Sequence, residues 1–191
     1  MWQNVDLLGE CTVIDDVLDF WLADGMDRKW FFKDPAFDRE VAEKLGPLYE
    51  RASAGEFDHW AETPKGCLAL CILLDQAPRN LFRNDPKTFA TDKKALGIAQ
   101  KAVDKGWHKE LPQRERNFIL LPFEHSEDLA MQEKSLELYQ DMDENPDWLS
   151  YAKKHEVIIR RFGRFPHRNK VLGRESTPEE IEFLKQPGSS F

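Results

Sequence analysis

Between Arg160 and Arg174 the chain carries six cationic side chains, Arg160, Arg161, Arg164, Arg168, Lys170 and Arg174, together with His167 and without one carboxylate. The rest of the chain is acidic, giving a formal net charge of -8. Phe162, Gly163, Phe165 and Pro166 interleave these cations, where a solvated face would carry polar residues. Such a mixture reads as the wall of a partly enclosed pocket, with guanidinium groups aimed at an anion. A second segment, Asp75-Gln76-Ala77-Pro78-Arg79-Asn80-Leu81-Phe82-Arg83, repeats the association of proline, Arg-Asn and a further arginine. Asp75 follows the most hydrophobic stretch of the chain, where a carboxylate opposes the helix dipole and needs a partner. Arg79 and Arg83 are the nearest in sequence.

Two further places offer proton chemistry. Pro122-Phe123-Glu124-His125-Ser126-Glu127-Asp128 reads as one helix ended by proline and a second capped by Ser126. Glu127 and Asp128 then fall in a first turn, which favours acids. Glu124 and His125 sit just before the cap and are the candidates for a general base. His155 lies on the inward stripe of the helix that runs into the arginine island. As one site, Asp75, Arg79, Arg83, His155, Arg164, His167, Arg168 and Arg174 would bind the ligand. The opposite-sign segments should meet, because an unpaired buried charge is costly, and if a concave opening reaches them the arginine excess should leave it net positive. The same residues are also what a buried ion network that only specifies the fold would require.

The elements that must position these groups are all helical. A capping residue directly before proline recurs at Asp34-Pro35, Thr63-Pro64, Asp85-Pro86, Asn145-Pro146 and Thr177-Pro178, each a helix start. Thr177 is followed by Glu180, a capping box. Gly25, Gly55, Gly106 and Gly163 suit helix stops. Apolar residues such as Val13, Val17, Phe20 and Trp21 recur with helical period, and no strand-like alternation is present. Helices are expected near 12–24, 35–54, 64–77, 86–105, 112–121, 126–143, 146–162 and 178–185. Gly46-Pro47 should kink or split the second. The expectation is one all-α domain of about eight helices, with a core over about 12–185 and a frayed tail at 186–191.

Bulk properties narrow the function classes. The negative charge argues against general nucleic-acid binding. The apolar run from Cys67 to Leu74 is far short of the roughly 20 residues a membrane helix needs, and Met1 to Asp6 lacks the pattern of a signal peptide. Cys11, Cys67 and Cys71 do not make a disulfide framework, so a cytoplasmic location is expected. Cys67 and Cys71 read as core residues. No metal-ligand spacing, Gly-rich phosphate loop or nucleophile elbow is present, and neither a metal nor a cofactor is expected.

Several of these segments occur together in a known bacterial family. Val17-Leu18-Asp19-Phe20-Trp21, Trp30-Phe31, Leu74-Asp75-Gln76-x-Pro78-Arg79-Asn80-x-Phe82-Arg83, Pro122-x-x-His125-Ser126-Glu127-Asp128 with Gln132, and Arg161 to Asn169 with Leu172-Gly173-Arg174 all fit its pattern. From about Thr12 to Leu184 the chain resembles domain-of-unknown-function family 924. The resemblance implies a tetratricopeptide-like helical array and supplies no catalytic residues; Gly46-Pro47 departs from its pattern. Two functions are thus open: a site for a small anion bearing phosphate or carboxylate, or an interaction module whose arginines capture an acidic peptide or a C-terminal carboxylate.

Overall fold

The computed structural model describes the backbone of residues 7–190 and the side chains of residues 12–190. Met1 to Asp6, the Cys11 side chain and Phe191 lie outside that range. Among the described residues the regular elements are all helical, without a strand: α1 (Leu7–Trp21), α2 (Pro35–Ser53), α3 (Pro64–Cys71), α4 (Ala77–Leu81), α5 (Asp92–Asp104), α6 (Gln113–Glu124), α7 (Leu129–Tyr139), α8 (Pro146–Phe162) and α9 (Pro178–Leu184). Each of the five cap-proline pairs works as its chemistry dictates. Asp34, Thr63, Asp85, Asn145 and Thr177 accept a backbone N–H of the turn that follows, and Glu180 completes the capping box with Thr177. Asp85 starts only a short 3-10 turn, Pro86–Phe89, and α5 begins afresh at Asp92.

Helix α3 is apolar on every side and so must be covered on every side. Cys67 to Leu74 are fully buried, with α1, α5 and α6 packed around α3. One core cluster runs from Val17 on α1 to Ala152 on α8. Its aromatic heart is Trp21, Trp30, Phe37 and Phe118, in which Trp30 meets Phe118 edge-on at 4.7 Å and donates its indole N–H to the Trp21 carbonyl at 2.8 Å. A second cluster, Ile158, Ile159 and Phe165 with Phe162, Leu129 and Phe183, anchors the segment after α8 and the short α9. Cys67 and Cys71 are buried and unbonded; burial pushes both thiols up, Cys67 to about 11.

Four local expectations are corrected. Pro47 does not split α2, which is continuous from Pro35 to Ser53; Pro47 is exposed, so the carbonyl deprived of its partner can face water. Pro122 lies inside α6, which runs on to Glu124. Asp128, not Ser126, caps α7, accepting the Ala130 N–H at 2.8 Å, while the Ser126 hydroxyl accepts the Asp128 N–H. The tail to Ser190 is not frayed, since Ser189 is buried and donates to the Leu184 carbonyl at 3.1 Å.

Close approach explains one glycine. A Cβ on Gly66 would sit 2.0 Å from the Trp60 carbonyl oxygen, because α3 starts directly against the 3-10 turn Asp58–Glu62. Gly97, inside α5, has open space at the same position. Gly66→Ala should therefore lower unfolding stability by about 1–3 kcal/mol, as overpacking does. Gly97→Ala should raise it by about 0.5–1 kcal/mol by relieving the entropy of a helical glycine. Urea denaturation of the two variants checks both signs.

Candidate functional site

Pro78 sets the local geometry. It has no N–H to give the Leu74 carbonyl, and its ring would crowd that oxygen in a regular helix. The chain does not stop there, as the sequence suggested. It widens into a π-helical turn over Ile72–Gln76, closed by the Ala77 N–H on the Ile72 carbonyl, and continues as α4. The Leu74 carbonyl is taken instead by the Thr91 hydroxyl at 2.6 Å. This turn carries Asp75, whose side chain is fully buried, and Gln76, whose amide donates to the Asp75 carboxylate.

One guanidinium and an imidazole meet this carboxylate, and a second guanidinium joins them through Asp92 and the His125 backbone. His125, at the C-terminal cap of α6, places Nδ1 2.8 and 2.9 Å from the two Asp75 oxygens. Arg79, one turn on from Asp75, reaches its carboxylate at 3.4 Å and donates to its backbone carbonyl. Arg79 also pairs with Asp92, at 3.1 and 3.3 Å. Arg168 closes the ring: Nη1 lies 3.3 Å from Asp92 and Nη2 donates to the His125 carbonyl at 3.0 Å. Its guanidinium sits between the rings of Phe89 and Phe165, 4.5 Å from each centroid, a favourable cation–π arrangement.

The electrostatics follow from burial and pairing. Burial pushes the Asp75 carboxyl up, but Arg79 and His125 together outweigh it and hold it below the usual carboxylate range. Burial and the Arg79 charge lower the His125 imidazole against the pull of Asp75. His125 is therefore neutral at neutral pH, and a bond to an ionised carboxylate requires the proton on Nδ1. Nε2 then carries the lone pair; it has no hydrogen-bond partner among the described residues, and the side chain remains 14% exposed. Burial, opposed by Asp92 and reinforced by Arg79, brings Arg168 down to about 10.

The three sequence segments thus meet, with a different division of labour from that expected. Glu124 is buried and faces His155, 2.9 Å from its Nδ1, rather than the solvent. The His155 ring is 6.1 Å from that of His125 and edge-on to Phe165. Glu127 is no first-turn acid: it accepts the Phe165 N–H and pairs with Arg174 at 2.7 Å. Arg164 turns outward to Glu180 at 2.7 Å, and Arg83 turns to Asp38 at 2.6 Å. The five arginines do not all gather at Asp75, and each has a carboxylate partner. Asp75 and Asp92 balance Arg79 and Arg168, while Arg83, Arg164 and Arg174 each have their own carboxylate. His167 stands behind Phe165, and burial and Arg168 push it down to about 3. Thr91, Asp92 and Phe89 were missed in the sequence. Their signal was a Thr-Asp start within what reads as one helix from Asp85-Pro86. Among the described residues no group of three His, Cys, Asp or Glu side chains is placed to hold a metal ion.

Histidines held neutral in the fold make stability acid-sensitive. His108, His125 and His167 all lie below the ordinary 6.5. As pH falls through 6.5 the unfolded chain takes up protons that the folded chain refuses, so stability drops, the His167 share continuing to about 3. Asp38, Glu127 and Glu180 are lowered and add their loss only below the ordinary carboxylate range. The denaturation midpoint should fall between pH 6.5 and about 5, and fall less in His167→Asn; a flat profile in both would contradict the burial argument.

The chain matches the family model described as "Bacterial protein of unknown function (DUF924)" over residues 17–188. It is also similar to the solved structure of a protein of unknown function from Agrobacterium tumefaciens. Identity is 40%, covering 92% of this chain and 98% of that one, with a TM-score of 0.87. No curated protein matches the chain. The match spans α2 to α9 and every residue of the Asp75–His125 cluster, and the chain belongs to the bacterial family DUF924.

Proposed function

We propose that the protein acts on a small phosphate- or carboxylate-bearing molecule, with His125 as the proton acceptor. One observation supports this above the others: a buried carboxylate grips His125 at Nδ1 and leaves Nε2, the basic nitrogen, without a protein partner among the described residues on a side chain that is 14% exposed. An imidazole so held has a fixed tautomer and can take a proton from a bound group without reorganising. The neighbouring guanidinium groups of Arg79 and Arg168 are the donors an incoming anion would use, in competition with Asp75 and Asp92, which already balance them. Helices packed in sequence, α5 on α6, α6 on α7 and α7 on α8, support reading the chain as a tetratricopeptide-like path. We read that path as the scaffold of this site rather than as a peptide groove. The free, buried thiols of Cys67 and Cys71 support a reducing, cytoplasmic setting.

A second reading has its own observation. Each arginine named in the sequence already has a carboxylate, which is what a network serving only the fold would show. His125→Asn separates the two. The asparagine amide can still donate to Asp75 from the Nδ1 position, but the basic Nε2 is gone. Phosphorylated metabolites and small carboxylates are screened by thermal shift, with diethylpyrocarbonate labelling of His125 in parallel. A true ligand at a hundredfold over its Kd should stabilise the wild type by about 2.7 kcal/mol and slow the labelling. His125→Asn should keep its unliganded stability to within about 1 kcal/mol and lose most of the ligand's effect or turnover. If no such anion stabilises the wild type, or if His125→Asn responds as the wild type does, the acid–base reading fails.

A further inference from the structure

Thr91 stands at the start of α5, the position where a threonine hydroxyl ordinarily accepts a backbone N–H of its own helix. Here it does not. The N-cap of α5 has no side-chain hydrogen bond, and the hydroxyl donates across the interface to the Leu74 carbonyl at 2.6 Å. That carbonyl is the one Pro78 cannot serve, and a buried carbonyl left without a donor is costly. Leu74 directly precedes Asp75 within the π-helical turn, so the orientation of the Leu74 peptide and the direction of the Asp75 side chain are set together. Next to Thr91, Asp92 grips Arg79 and Arg168, the two cations of the same cluster. The N-terminus of α5 therefore holds the π-turn at both its backbone and its charges.

We infer that Thr91 is a positioning residue: by taking the Leu74 carbonyl in place of the N–H that Pro78 lacks, it holds the π-turn that aims Asp75 at His125. Pro78 makes the turn necessary, and Thr91 makes it stable in one geometry. A π-turn at a point where buried polar side chains must be presented is a recurrent arrangement at functional sites. This inference goes beyond the acid–base reading and stands or falls without it, because its readout is the state of His125 in the unliganded protein.

Two variants test it. Thr91→Val keeps the shape and removes the hydroxyl. The double variant Thr91→Val with Pro78→Ala also removes the hydroxyl but restores an N–H to the Leu74 carbonyl, so the stretch can close as regular α-helix and the fold is kept. Thr91→Ser is the conservative control. The measurements are the imidazole 15N shifts of His125 at neutral pH, which report its tautomer, its diethylpyrocarbonate labelling rate, and Tm. Thr91→Val should lose the single Nδ1–H tautomer and change labelling several-fold, with a lower Tm. Thr91→Ser should restore both. The double variant should recover Tm yet still show the altered tautomer, which a merely stabilising role for Thr91 would not produce. A wild-type tautomer and labelling rate in the double variant, or in a folded Thr91→Val, would overturn the inference.

Discussion

The structure around the α3–α4 junction depends on keeping one fully buried carboxylate, Asp75, ionised. Removing such a charge from water costs several kcal/mol unless pairing and hydrogen bonds replace the lost solvation. The replacements come from distant parts of the chain: Gln76 and Arg79 from the same helix, and His125 from the end of α6. Arg79 in turn needs Asp92, and Asp92 draws in Arg168 from the segment after α8. Four helical segments separated by as many as 93 positions are thus tied to one charge, and their relative placement is what creates a histidine with one nitrogen held and one open.

The backbone supports this charge with an irregularity. Without Pro78 the stretch from Pro64 to Leu81 would have no reason to widen, and Asp75 would sit on an ordinary helical position. The flanking Phe89 and Phe165 rings complete the arrangement by giving Arg168 an apolar slot whose faces are favourable to a cation. The more peripheral pairs, Arg83 with Asp38, Arg164 with Glu180 and Arg174 with Glu127, hold the surrounding segments in place. They shape the site and do not enter it.

Much of the fold was legible because its signals are local. Asp34, Thr63, Asn145 and Thr177 announced their helices by a side-chain acceptor before proline, and the caps form as that chemistry requires. Prolines inside helices were misread, since whether Pro47 or Pro122 ends a helix depends on where the freed carbonyl can go, which is a tertiary question. The meeting of Asp75, His125 and Arg168 could be argued from charge complementarity alone. Their stoichiometry could not: Asp92, Asp38 and Glu180 lie in stretches that read as ordinary helix surface, and only packing shows that they neutralise the arginines. The excess of arginine charge read from the sequence is cancelled for that reason.

Everything at the cluster requires that Asp75 remain a carboxylate although it is buried. The side-chain 13C carboxyl resonance of Asp75, followed by NMR as the folded protein is acidified from neutral pH, measures this directly. The expected result is the shift of an ionised carboxylate at neutral pH, with a midpoint below the ordinary 3.8. A neutral carboxylic acid at neutral pH, or a midpoint raised above that value, would mean that burial outweighs Arg79 and His125. The held imidazole and everything built on it would then be lost.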